Sequence, residues 1–160
     1  LAQLVALGFD AAGWSRSRRD LPGVRCHAGD DELDAFLART QILVCLLPLT
    51  DATRGLLNAA LFARLPRGAS LVHVGRGPQL AAADLLRALD AGQLAEAVLD
   101  VTDPEPLPEA DPLWSHPRVH ITPHTIHRMT AIEDSDIFEV STPELDDVVR
   151  LEDRYGRIPK

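Results

Sequence analysis

Residues 70–80 read SLVHVGRGPQL, and the fold turns on whether the apolar start of this run is a strand. Leu71, Val72 and Val74 are residue types that pack inside a sheet. The chain is therefore expected to leave the core here and pass straight into Arg76, set between Gly75 and Gly77. A permanent positive charge then stands at a strand end.

The flanking sequence alternates in kind. AAADLLRALDAGQL (81–94) predicts a helix with Leu85, Leu86 and Leu89 on one face and Gly92 beyond its end. AEAVLDV (95–101) and RVHIT (118–122) read as strands. Upstream, DAAGWS (10–15) reads as a short strand and GDDELDAFLART (29–40) as an amphipathic helix with an acidic start. ILVCLL (42–47) predicts a buried strand stopped by Pro48, and NAALFARLP (58–66) a short helix ended by Pro66. Leu1, Leu4, Val5 and Leu7 fall at helical spacing before Gly8, where a C-cap glycine belongs. Strands without obvious alternation, separated by helices, imply an α/β fold, a Rossmann-like doubly wound parallel sheet covered on both faces. The stretch from Pro104 to Pro117 has neither period and reads as a loop.

At 160 residues and 46% hydrophobic, the chain suits one domain with a core of its own and is short for two. A net charge of -8 offers no electrostatic footprint for nucleic acid, and no apolar run has the length of a bilayer span. No nucleic-acid or membrane partner is expected, and the cytoplasm is the expected compartment. The two cysteines, Cys26 and Cys45, fit a reducing environment, Cys45 as a small core residue inside its apolar run. Acidity is concentrated at the end, where residues 131–160 hold nine Asp or Glu against four Lys or Arg.

In a doubly wound sheet, ligands bind at the carboxyl ends of the strands. Three polar residues follow such ends: Arg76, Glu105 and His124. An arginine, a carboxylate and an imidazole in one crevice can bind an anion, tune a histidine and move a proton. Taken singly, each has a plainer reading. Arg76 suits a surface Gly-rich turn, Glu105 a solvated carboxylate, and His124 a loop or capping histidine.

The run LVHVGRGPQLAAADLLRALDAGQLAEAVLDVTDPEPLPEADPLWSHPRVHITPH (71–124) resembles the nucleotide-binding domain of the D-2-hydroxyacid dehydrogenases, most nearly the glyoxylate/hydroxypyruvate reductase branch. LVCLLPLTDATRGLLNAALFARLPRGA (43–69) is similar to the same family, so the resemblance runs from about Leu1 to His124. It implies that Arg76 holds the carboxylate and keto oxygen of a small 2-oxoacid. His124 would protonate the carbonyl as hydride arrives, and Glu105 would hydrogen-bond the imidazole and raise its pKa. The glycines would let the backbone pass close to cofactor and substrate while Arg76 points at them.

The resemblance also places the cofactor. WSRSRR (14–19) lies at the end of a second strand, where an acidic residue would accept a ribose 2′-hydroxyl in an NAD enzyme. Ser15, Arg16 and Arg18 there suit the 2′-phosphate of NADPH, with NADH as the alternative cofactor and an arginine-rich surface turn as the plainer reading. Pro48, Val74 and Gly75 are implied cofactor contacts. Asp100 resembles the family residue near the nicotinamide amide, a turn-capping Asp being the alternative. The implied partners are the 2-oxoacid and a second copy in a homodimer.

By this resemblance, residues 1–124 form a partial dinucleotide-binding domain, its first strand and phosphate loop expected before Leu1. Residues 125–160 form a cupin-like or irregular tail. HTIHRMTAIEDSDIFEVSTPELDDVVRLEDRYGR (124–157) is similar to the closing segment of a small cupin. His127 would be its single metal-ligating histidine, which makes no metal site by itself. The alternative to an oxoacid reductase is an inactive nucleotide-binding fragment, or a fusion whose cupin-like segment serves association.

Overall fold

The computed structural model describes residues 1–122. The cupin-like tail and His127 fall outside them, as does His124. The described chain runs α1 (Ala2–Ala6), β1 (Ala12–Ser15), β2 (Arg25–Ala28), α2 (Leu33–Leu37), β3 (Ile42–Cys45), α3 (Ala59–Phe62), β4 (Ala69–His73), α4 (Ala82–Asp90), β5 (Leu94–Leu99), α5 (Pro112–Ser115) and β6 (Val119–Ile121). Single 3-10 turns at Asp30–Glu32 and Gly77–Gln79 precede α2 and α4. Every strand pairing is parallel, β1 with β2 in one sheet and β3-β4-β5-β6 in another. No helix among the described residues is long and apolar enough to cross a membrane.

β4 is bordered on both sides, and its residues alternate: Ala69, Leu71 and His73 are buried while Ser70 and Val72 are half-buried. A strand in this position turns one side chain in two toward the thickest part of the core. α4 covers that core with Leu85, Ala88 and Leu89, spaced three and four residues apart. Each fully buried leucine stabilises the fold by about 1.5–3 kcal/mol. The helix then ends through Gly92 (φ +67°), with the Gly92 amide donating to Leu89 O and the Gln93 amide to Ala88 O. These two bonds satisfy the last carbonyls and turn the chain into β5. The Gln93 side-chain amide donates to Phe62 O and Leu65 O, closing the end of α3. At the other end of α3, Asn58 accepts from Leu61 N at 3.1 Å.

Three local readings needed correction. β3 was expected to be buried throughout, yet it is an edge strand of its sheet. Leu43 and Cys45 are 7% and 5% exposed, whereas Ile42 and Val44 are 53% and 42% exposed. An edge position leaves one face of the strand with fewer neighbours, so alternation appears despite the unbroken apolar sequence. The helix expected over 29–40 is a 3-10 turn followed by five α-helical residues. Finally, the loop after β5 contains α5, where Asp111 accepts from Leu113 N at 2.9 Å and Pro112 occupies the first turn. Leu113, 3% exposed, pins this loop to the core.

The packing of α4 sets an expected outcome. Leu89→Ala should lower the unfolding free energy by about 2–5 kcal/mol in urea titration, because it opens a cavity under the sheet. Leu86→Ala, on a half-buried position, should cost clearly less.

Candidate functional site

The site is assembled where β3, β4 and β5 end side by side. Beyond His73, the last residue of β4, the Val74 amide still donates to Cys45 O, and the chain then leaves the sheet at Gly75 and Arg76. Arg76 is extended (φ −137°, ψ 140°) and has no ladder partner for its peptide groups. Two side chains supply them, together with the Gln79 backbone amide, which donates to Arg76 O at 3.0 Å. The Arg76 amide donates to Gln79 Oε1 at 2.8 Å, and Arg76 O accepts from His73 Nε2 at 3.0 Å. The guanidinium also donates from Nη1 to Gly75 O at 3.0 Å.

Gln79 is completely buried and its amide group is fully engaged. Its Nε2 donates to Leu47 O and to Pro48 O, each at 3.1 Å. The Arg76 loop is thereby tied to the segment that follows β3.

The two glycines explain how three loops come so close. A Cβ on Gly75 would stand 2.2 Å from Gln79 Oε1, and one on Gly77 would stand 1.9 Å from Thr102 O. Neither glycine has a positive φ. Their role in this fold is close backbone approach, at Gly75 to the Gln79 side-chain amide and at Gly77 to the loop following β5.

On the β5 side, the Asp100 amide donates to His73 O at 2.9 Å, and the Asp100 carboxylate accepts from the Thr122 hydroxyl. Asp100, Thr102, Pro106, Leu107, Trp114, Ile121 and Thr122 line a cleft with about 140 Å³ of water-accessible volume. That is room for a small ring, well below the 300–1,000 Å³ typical of a complete ligand pocket. Glu105 lies on the exposed loop just beyond this wall.

The end of β1 carries the arginine cluster. Ser15 Oγ donates to Ser17 O at 2.7 Å, and Arg16 and Arg19 are exposed. Arg18 forms an ion pair with Glu32, whose second oxygen accepts from the Ala28 amide at 2.9 Å. The donor set, three guanidinium groups and a serine hydroxyl, fits a phosphate, with Glu32 as a competitor for Arg18.

Of the residues singled out from sequence, the structure brings Pro48, Val74, Gly75, Arg76 and Asp100 to neighbouring strand ends. Ser15, Arg16 and Arg18 stand together at the end of β1. His73, Gln79 and Glu32 were missed. A polar residue at a buried alternate position of a strand marks His73, and a Gln three residues after Arg76, at the third position of a helical turn, marks Gln79.

His73 Nε2 faces a carbonyl, so it carries the proton in the neutral ring, and Nδ1 is buried without a hydrogen-bond partner among the described residues. Burial pushes the imidazole pKa below its ordinary 6.5, and the bond to Arg76 O opposes this in part.

A family model described as "D-isomer specific 2-hydroxyacid dehydrogenase, NAD binding domain" matches residues 1–125. Glyoxylate/hydroxypyruvate reductase A of Salmonella newport is 50% identical over 121 residues, covering 76% of this chain and 39% of that protein. Among solved structures, a D-isomer specific 2-hydroxyacid dehydrogenase family protein from Klebsiella pneumoniae is 56% identical with a TM-score of 0.75, covering 76% of this chain and 39% of its own. A D-isomer specific 2-hydroxyacid dehydrogenase from Xanthobacter autotrophicus, in complex with NADPH and MES, is 50% identical with a TM-score of 0.74, over 77% of this chain and 51% of that one. An NADPH-dependent glyoxylate/hydroxypyruvate reductase from Sinorhizobium meliloti, in complex with NADP and sulfate, is 46% identical with a TM-score of 0.73, over 76% and 40%. The chain spans about two-fifths of the length of the curated relatives it matches.

The buried His73 gives a signed pH dependence. A folded-state pKa held below 6.5 means that the unfolded chain takes up the proton first, so this group's stabilisation is present above 6.5 and is lost as pH falls. The loss has a limiting slope of about 1.4 kcal/mol per pH unit. Urea titrations between pH 7.5 and 5 should show a shallower decline for His73→Leu than for the unsubstituted chain.

Proposed function

The chain belongs to the D-isomer specific 2-hydroxyacid dehydrogenase family through its NAD-binding domain, and on that footing we propose that it serves an NADPH-dependent reductase of small 2-oxoacids, of the glyoxylate or hydroxypyruvate kind. The product is the corresponding 2-hydroxyacid. The observation that carries this reading is Arg76, held by its backbone at the carboxyl end of β4 and beside the end of β5.

In this reading, Arg76 binds the substrate carboxylate through two parallel N–H donors and orients the keto group. The reduced nicotinamide, when bound, supplies hydride to the keto carbon. His124 gives a proton to the keto oxygen as its charge develops, and Glu105 stabilises the protonated imidazole beforehand. Asp100, Thr102 and Ile121, which wall the cleft, would hold the nicotinamide ring, and the Asp100 carboxylate, which accepts from the Thr122 hydroxyl, would also accept from its amide. Pro48, Val74 and Gly75, at the ends of β3 and β4, would contact the cofactor beside it. Ser15 and Arg16 take the 2′-phosphate, and Arg18 joins them to the extent that Glu32 releases it.

The sequence similarity to glyoxylate/hydroxypyruvate reductases supports the substrate class, and the relatives crystallised with NADP or NADPH support the cofactor.

Calorimetric titration with NADPH and NADH, alongside NADPH oxidation on glyoxylate and hydroxypyruvate, tests the proposal directly. NADPH should bind more tightly than NADH. Arg16→Ala should reduce that preference about tenfold, equivalent to about 1.4 kcal/mol. An unchanged ratio would sink the phosphate assignment.

A further inference from the structure

We infer that His73 and Gln79 are positioning residues that fix where the Arg76 guanidinium stands, a role that rests on the reading of Arg76 as the binder of an anionic substrate. Arg76 lies past the end of β4, where no neighbouring strand supplies partners for its peptide groups. Its amide is held by the Gln79 side chain, and its carbonyl by the His73 ring together with the Gln79 backbone amide, both residues being 0% exposed.

Gln79 can occupy one orientation only. As placed, Oε1 accepts from the Arg76 amide while Nε2 donates to two carbonyls, Leu47 O and Pro48 O. A flipped amide would set N–H against N–H once and oxygen against oxygen twice. The residue thus transmits the position of the β3 end to Arg76 without slack.

His73 acts on the Arg76 carbonyl. Arg76 O can only accept, so the ring must present Nε2–H, and the space beside it is closed: a Cβ on Gly75 would come 3.2 Å from His73 Cε1. No side chain can be added at residue 75 without displacing one of the two holds. A displacement of about 1 Å in a group that orients substrate is enough to cost on the order of a hundredfold in rate.

The experiment measures glyoxylate affinity by calorimetry in the presence of NADPH, with the thermal midpoint of each variant alongside. His73→Leu and Gln79→Met remove the hydrogen bonds at similar volume, and each should weaken glyoxylate binding about tenfold. His73→Gln, which keeps an N–H donor at similar reach, should recover affinity to within about threefold of the unsubstituted chain. A residue that served packing alone would give no such recovery, since leucine fills the space as well as glutamine does.

Arg76→Ala separates the two readings. If it abolishes binding while folded His73→Leu and Gln79→Met bind as tightly as the unsubstituted chain, the positioning role is wrong and the Arg76 reading stands. If Arg76→Ala leaves affinity unchanged, or the unsubstituted chain does not bind glyoxylate, the Arg76 reading fails and this inference fails with it. Should both apolar variants be unfolded, Gly75→Ala decides. Its methyl group would displace Gln79 Oε1, so weakened glyoxylate binding at unchanged NADPH affinity supports the role, and any other result overturns it.

Discussion

The buried amide of Gln79 is the joint on which the site depends. It satisfies three backbone groups from two loops, the Arg76 amide on one side and the Leu47 and Pro48 carbonyls on the other. Unmade, these bonds would leave polar atoms stranded inside the protein, at about 1–3 kcal/mol each. That penalty, more than the modest gain of any single bond, holds the loop in one conformation. The fold around it supplies rigidity: parallel strands ending in register, α4 clamped across them, and a Gly77 backbone that lies directly against Thr102.

Much of this was legible in the sequence because local and global signals agreed. The 70–94 run combines a β-branched strand, a Gly-flanked arginine and an amphipathic helix with a glycine stop, and each became the element it predicts. Agreement of this kind marks a stretch whose propensity and tertiary role coincide. Where tertiary context decides, the sequence was mute or misleading. β2, with the sequence RCHA, has too few apolar residues to announce a strand, and its pairing with β1 creates it. β3 carries an apolar sequence on both faces but lies at a sheet edge.

The site divides in the same way. Arg76 and Asp100 could be read because position after a strand end is a sequence property. The holds on Arg76 were harder to read, because the signals that mark a histidine in a strand and a glutamine in a turn do not name the groups these side chains bind. Arg18 is the clearest example. Its partner Glu32 lies fourteen residues on and reaches it through the turn after β2. Such an exposed pair contributes only about 0–1 kcal/mol to stability, so its weight falls on where the guanidinium points.

Cys45 has a consequence outside the chemistry of the strand ends. It is packed in the core on β3, and burial pushes its thiol pKa up, so it stays protonated and shielded from reagents. Cys26, on β2, is half-buried and carries the other free thiol. An alkylating probe would therefore mark Cys26 early and Cys45 only when the β3–β4 layer opens. The lag between the two modifications is a built-in clock for local unfolding, read from the native chain by mass alone.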